Sequence, residues 1–176
     1  MGPLANSIFH FTGTTCVAEI ASALGVAVKR LPRPGVPSQL VRVEDNWRIY
    51  LNSTASYEDQ RWGLAYRLAE HVLRLEGLGQ ELRGELAGAL AIPRVESAAD
   101  VLASRWQTPL PAAYLRVAEV TGTPTAVVRK GWSRRRGDSG VLPSDQGALE
   151  ALAFGRVRAL RVRRVVVGGE VVLAAA

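Results

Sequence analysis

The chain is poor in the side chains that most often hold metals or form crosslinks. Its 176 residues include one cysteine, Cys16, and two histidines, His10 and His71. A single cysteine excludes an internal disulfide framework and any zinc site built from several thiolates. We expect Cys16 to be a small buried residue, because apart from His10 no histidine lies near it in sequence. A reduced, cytoplasmic setting is the simplest interpretation.

The chain also lacks a long apolar run. No uninterrupted apolar segment approaches the roughly 20 residues that a membrane-spanning helix needs. The N-terminus shows no basic segment followed by an apolar one, so no signal peptide is predicted. With 48% hydrophobic residues the chain can still bury a core. Its length allows one domain with an appendage or two small domains, and no membrane partner is expected.

Lysine is almost absent, because only Lys29 and Lys130 accompany the arginines, and the net charge of +6 is uneven. Residues 129–164 contain ten basic and three acidic residues, so the remainder of the chain is nearly neutral. Such an asymmetry favours a polyanionic partner for the C-terminal third. A general codon preference for arginine is the competing explanation.

The first half of the chain predicts a helix, a loop and a small antiparallel sheet. Apolar residues recur at helical spacing from Val17 to Leu24, and Gly25 follows as a stop. Three prolines and a glycine predict a loop over residues 31–37. Alternating residues predict strands over 40–44 and 47–51, joined by a tight hairpin turn.

A helical body is predicted to follow the sheet. Ser56 is a candidate N-cap for a long helix from Tyr57 to about Leu75. Further helices are predicted over residues 81–92, from a cap at residues 97–100 to about Trp106, and over residues 112–120. The last two surround a proline-containing turn, which predicts a helix-turn-helix-like segment over residues 96–128. Ordinary core packing explains the same pattern, so the segment alone does not establish DNA recognition.

The tail is predicted to consist of a basic loop and a C-terminal β-hairpin. Residues 129–144 read as a glycine-containing loop, and a short helix then ends near Phe154. Residues 157–167 and 170–173 are β-branched and flank a Gly-Gly turn signal. We therefore predict an α+β protein with three parts: residues 1–95, 96–128 and 129–176. The apolar hairpin also favours pairing with a second copy of the chain.

The segment Arg61–Leu73 resembles the active-site helix of a zinc peptidase with its chemistry removed. Such helices carry His-Glu-x-x-His, in which two imidazoles one turn apart bind zinc and the glutamate activates water. The surrounding apolar frame places Tyr66, Arg67 and Glu70 at those three positions. Arginine opposes cation binding and cannot accept a proton from water. The helix therefore predicts a peptidase fold without peptidase activity.

The order of segments resembles the ImmA/IrrE family of zinc metallopeptidase-like regulators. The similar segments are the opening helix, the strand before the active-site helix, the lead into that helix, the next helix and the helical pair, namely residues 17–28, 47–52, 60–65, 81–93 and 102–122. The resemblance implies a zincin-like fold. Active members of that family cleave repressor-type transcription factors in stress responses or mobile-element transfer. The resemblance therefore implies a degenerate member that still binds a repressor or another protein, and needs no cofactor.

Two alternatives remain open from the sequence. The first is an active zinc peptidase with a non-standard site, for which His71 and Glu81 are the weak ligand candidates. The second is a nucleic-acid-binding accessory protein that acts through the basic tail, since guanidinium groups bind phosphates and an aromatic ring can stack on a base. Its candidate residues are Arg129, Lys130, Trp132, Arg134, Arg135 and Arg136.

Overall fold

The computed structural model describes residues 2–33, 35–136, 142–155, 162–167 and 169–175, with backbone only at Trp132, Arg163 and Ala175. The helices are α1 (Gly2–Thr12), α2 (Val17–Ala23), α3 (Tyr57–Leu75), α4 (Arg83–Ala91), α5 (Ala99–Trp106), α6 (Leu110–Thr121) and α7 (Gln146–Phe154). The strands are β1 (Ala27–Leu31), β2 (Ser38–Val43), β3 (Asn46–Asn52), β4 (Thr125–Arg129), β5 (Trp132–Arg136), β6 (Val162–Val167) and β7 (Glu170–Ala175). Within the described residues, no helix has both the length and the apolar character needed to cross a bilayer.

The chain forms two compact units. Unit 1 contains residues 1–94 and 104–109, and unit 2 contains residues 95–103 and 110–176. Helix α5 therefore contributes residues to both units. The three-part division of the sequence stays a prediction.

Unit 1 is built on a three-stranded sheet in the order β1-β3-β2. The central strand β3 buries Ile49 and Leu51, and a two-residue turn with Glu44 at a φ of 57° joins it to β2. Helix α3 packs on this sheet where Gly63 meets Ser38: a Cβ atom at Gly63 would lie 3.1 Å from the Cβ of Ser38. The glycine therefore allows helix and strand to approach closely.

Helix α3 forms as the sequence predicts. The hydroxyl of Ser56 accepts a hydrogen bond from the backbone N–H of Asp59 at 3.1 Å, which caps the first turn. Leu64, Leu68 and Val72 lie at intervals of four residues and are buried. Small residues on α4, such as those at positions 87–89, are buried and allow close helix packing. A short 3₁₀ turn, Gln80–Leu82, leads into α4.

Unit 2 is a four-stranded antiparallel sheet, in the order β5-β4-β7-β6, with a helix packed against each face. Ala126 and Val128 of β4 join the apolar cluster that contains residues of α7. Val127, which points the other way, packs with Leu115 of α6 and Val172 of β7. Strand β4 is buried on both faces, so its apolar residues run continuously rather than alternating with polar ones.

The predicted α+β class and the C-terminal hairpin are confirmed by these elements. The sheet of unit 1 differs from the antiparallel prediction, because β1 pairs with β3 in parallel. Strand β1 is mostly exposed and carries Lys29 and Arg30, so it lacks the alternation that marks a half-buried strand. Helix α1 also escaped prediction, since only Ala5 and Ile8 are buried on it.

The predicted loop over residues 129–144 is wrong for residues 132–136, which form β5. A turn at Lys130-Gly131, with Gly131 at a φ of 76°, pairs β5 with β4. Strand β4 itself was not predicted. Three consecutive arginines obscure the β pattern because their side chains resemble those of a solvated loop. Residues 157–161 of the predicted C-terminal strand lie outside the described residues.

Candidate functional site: a carboxylate among arginines on helix α3

Glu70 lies on α3 and is 6% exposed. Arg67 Nη1 donates to its Oε2 atom at 2.6 Å, and Arg74 Nη2 donates to its Oε1 atom at 2.6 Å. These arginines are three residues before and four residues after Glu70, the spacings that bring helical side chains together. Arg83 of α4 adds a third guanidinium, with Nη1 3.4 Å from Oε2. We call these four residues the Glu70 cluster.

Arg67 ties the Glu70 cluster to the sheet. Its Nε atom donates to the hydroxyl of Ser38 at 3.1 Å, and its Nη2 atom donates to the Ser38 carbonyl at 2.8 Å. Ser38 is the first residue of β2 and is buried. All three nitrogens of Arg67 therefore have partners, which fixes the guanidinium between helix and strand.

Two aromatic rings, those of Tyr66 and Trp47, lie against the guanidinium groups of the Glu70 cluster. The Arg83 guanidinium lies 4.4 Å from the centre of the Tyr66 ring, and that of Arg67 lies 5.5 Å from it. Arg74 lies 5.5 Å from the ring centre of Trp47. Cation–π attraction of this kind restricts where each guanidinium can lie.

His71 follows Glu70 and is only 3% exposed. Its ring centre is 5.5 Å from that of Trp47, with the planes tilted by 59°. Burial lowers the pKa of His71, and the charge of Arg74 lowers it further. The buried Nδ1 atom has no hydrogen-bond partner among the described residues. The imidazole is therefore a neutral packing group at neutral pH.

The zinc that a peptidase-like helix implies does not fit these residues. Both oxygens of Glu70 already accept bonds from guanidinium groups, and Arg67 brings a positive charge to the position that the peptidase resemblance gives to the general base. The alternative ligands differ in environment, because His71 is buried and Glu81 is exposed on the 3₁₀ turn. Among the residues that the structure describes, no three His, Cys, Asp or Glu side chains are grouped to hold a metal.

The structure thus brings Tyr66, Arg67 and Glu70 together and adds residues that sequence reasoning missed. Arg74 had a detectable signal, because its spacing of four from Glu70 favours an ion pair. Arg83 lies on another helix, and no local pattern could place it beside Glu70. The prediction that Cys16 is buried was wrong. Cys16 is the N-cap residue of α2, and at this end of the helix it is exposed.

The candidate nucleic-acid residues lie on β4, β5 and the turn between them. Arg129 forms an ion pair with Glu170, and Arg135 donates to the Ser144 carbonyl. Arg134 is half-buried on β5, and Lys130 is exposed at the turn, while the Trp132 side chain is not described. The predicted basic loop is therefore a strand with several arginines bound to the chain itself.

Arg136, the last residue of β5, belongs to a second cluster around a carboxylate. Its Nε atom donates to Glu119 of α6 at 2.9 Å, and Arg116 Nη1 lies 3.3 Å from the other oxygen of Glu119. Burial raises the pKa of Glu119, although the hydrogen bonds and charges of Arg136 and Arg116 act to lower it. We call these three residues the Glu119 cluster.

Comparison with known proteins shows the fold. No protein-family model matches the chain, and no curated protein matches it. A solved structure of a Mycobacterium tuberculosis transcriptional regulator is similar, with a TM-score of 0.62 at 14% sequence identity. The match covers 99% of this chain and 86% of the regulator. At this identity the similarity establishes the shared fold and nothing about the ligands of this chain.

Proposed function

We propose that this chain is a catalytically inactive, ImmA/IrrE-like regulatory or interaction protein that binds a transcriptional repressor or another protein. The observation that supports this proposal is the state of Glu70. At the position where the family resemblance would put the second zinc ligand, the carboxylate instead binds Arg67 and Arg74 at 2.6 Å each. The scaffold supplies its own positive charge where a peptidase would use a metal.

The energetics of the Glu70 cluster favour a stable replacement of the metal. A carboxylate that is 6% exposed needs compensation for its lost hydration, and the three guanidinium groups provide it. A divalent cation would have to displace those groups and lie among their positive charges. Binding zinc at Glu70 would therefore cost both hydrogen bonds and electrostatic repulsion.

The structural similarity to a transcriptional regulator supports a regulatory role. The similar regions span nearly the whole of this chain rather than one common motif. A repressor or another regulatory protein is the partner class that the family resemblance implies. The alternative, a zinc peptidase using His71 and Glu81, has no grouping of ligands among the described residues in its favour.

The metal content of the protein tests the proposal. Untagged protein is incubated with excess zinc, desalted and analysed by mass spectrometry for metal per chain. We expect no stoichiometric zinc, and about one zinc per chain would contradict the proposal. A variant with Tyr66→His, Arg67→Glu and Glu70→His restores the His-Glu-x-x-His spacing and is the positive control. Loss of bound zinc from a His71→Ala variant would instead support the peptidase alternative.

A further inference from the structure

The Glu70 cluster carries more positive charge than its carboxylate can neutralise. Three guanidinium groups surround one carboxylate, so two positive charges are in excess. Arg67 cannot offer this excess to a ligand, because its three nitrogens already bind Glu70 and Ser38. The excess therefore belongs to Arg74 and Arg83.

Arg74 and Arg83 retain donor capacity. Arg74 uses Nη2 for Glu70, and its side chain is 49% exposed. Arg83 has Nη1 near Glu70 and its side chain is 29% exposed, whereas its Nε atom is buried, so only its Nη groups can serve a ligand. Both groups touch the same carboxylate, so they are neighbours. A guanidinium has five N–H donors, so Arg74 and the Nη groups of Arg83 keep donors that Glu70 does not use.

The two guanidinium groups are also held in place before any ligand arrives. Arg74 lies over Trp47 and Arg83 lies over Tyr66. Fixed donors lose less conformational entropy on binding than free surface side chains do. The same half-buried rings offer apolar surface to residues that flank a bound acidic group.

We propose that Arg74 and Arg83 form a receptor for a carboxylate side chain in an acidic segment of a protein partner. The inference rests on the proposed function and specifies the chemistry of its partner. The guanidinium fork matches a planar carboxylate in shape and charge, and Arg74 already donates one hydrogen bond to the carboxylate of Glu70. A nucleic acid is a poorer fit, because phosphate binding gains strength from many charges along a groove, and here two charges meet at one point.

Selection from a random dodecapeptide library displayed on phage tests the receptor. The full-length protein is immobilised, and bound peptides are sequenced. We expect several-fold enrichment of Asp and Glu over the unselected library. The variants Arg74→Gln and Arg83→Gln should each abolish most of that enrichment and weaken a selected acidic peptide by about tenfold. Arg42→Gln is the matched control, since Arg42 is an exposed arginine of unit 1 that pairs with Asp45.

Three outcomes would overturn the inference. The first is a selection without enrichment of acidic residues, and the second is enrichment that survives both variants with their circular dichroism spectra unchanged. The third is binding of a 30-nucleotide DNA, single-stranded or duplex, that depends on Arg74 and Arg83, which would make a nucleic acid the occupant. Arg74→Lys and Arg83→Lys retain the charge but lose the fork, and we expect them to recover part of the affinity. Failure here in a zinc-free protein leaves the proposed function standing, whereas stoichiometric zinc overturns the proposed function itself.

Discussion

The Glu70 cluster of unit 1 and the Glu119 cluster of unit 2 start from the same local design. In each, a helical carboxylate binds the arginine three residues before it, Arg67 or Arg116. In each, an arginine from another element completes the contact, Arg83 from α4 or Arg136 from β5. In both clusters, guanidinium groups offset part of the cost of burying a glutamate.

The two clusters differ in how much positive charge remains and where it lies. In the Glu119 cluster, the side chains of Arg116 and Arg136 are 11% and 20% exposed, so the charges are enclosed. In the Glu70 cluster, a third arginine, Arg74, has half of its side chain exposed. The Glu119 cluster is therefore an enclosed group of ion pairs that joins a helix to a sheet. The Glu70 cluster, in contrast, presents positive charge that a ligand can reach.

The largest effect is expected from removing the carboxylate of the Glu70 cluster. Glu70→Ala leaves three neighbouring guanidinium groups without their shared counter-ion. We expect a loss of about 3 kcal/mol in the free energy of unfolding, the low end for a broken buried pair, because the arginines keep some exposure. Urea denaturation with an unchanged m-value measures this loss. A change below about 0.5 kcal/mol, as for an ordinary surface substitution, would show that the cluster contributes little.

A smaller, pH-dependent effect is expected at Glu119. Its pKa in the folded protein is raised above the ordinary value of 4.5, so the folded state binds a proton more tightly than the unfolded state does. The resulting stabilisation is fully present below pH 4.5 and is lost as the pH rises through the raised pKa. Relative to Glu119→Gln, the wild-type protein should therefore lose stability over that window. If the stability of the wild type relative to Glu119→Gln instead increases as the pH rises, the two arginines lower the pKa of Glu119 more than burial raises it.

His71 should produce the opposite dependence on pH. Its pKa is lowered from 6.5 by burial, so its contribution is present above pH 6.5 and is lost as the pH falls through the lowered pKa. His71→Phe keeps a ring against Trp47 and should remove this loss. Thermal unfolding between pH 7 and pH 5 provides the measurement, with the exposed His10→Phe as control. If the wild type and His71→Phe lose the same stability on acidification, the lowered pKa of His71 is contradicted.

The smallest effect is expected for nucleic-acid binding by β5. Arg134, Arg135 and Arg136 are only partly exposed, and Arg136 uses two of its nitrogens within unit 2, so we expect few contacts with phosphates. Changing Arg134, Arg135 and Arg136 to Ala should alter the slope of log affinity against log salt concentration by at most about one. Titrations of duplex DNA at several salt concentrations test this. A decrease of about three in the magnitude of that slope would show that all three arginines contact phosphates, and would favour the nucleic-acid alternative.

Local patterns predicted most of the elements and the β2-β3 and β6-β7 hairpins, while contacts between elements far apart in the sequence could not be predicted. The long helix α3 was evident because its cap at Ser56 and its apolar stripe are local signals. Strand β1 was not, since its strand form depends on parallel pairing with β3 rather than on its own exposed side chains. Tertiary pairing overrides weak local preference in such segments.

At the candidate site too, local spacing could be predicted from the sequence, and contacts between distant residues could not. Tyr66, Arg67 and Glu70 could be assigned to one helical neighbourhood from their spacing alone. The role of Arg67 could not, because its contacts with Ser38 connect residues 29 positions apart in the chain. Without Ser38 and Arg83, the sequence predicted only that the metal-ligand positions of the peptidase resemblance hold other residues. The assembled cluster shows that Glu70 binds the guanidinium groups of Arg67 and Arg74.

X-ray diffraction at the zinc absorption edge, from crystals grown with excess zinc, would test the central claim most directly. We predict no anomalous peak at Glu70 and direct contacts of its carboxylate with Arg67 and Arg74, as at 2.6 Å here. A zinc ion bound to Glu70 in tetrahedral geometry, with the arginines turned away, would contradict the claim.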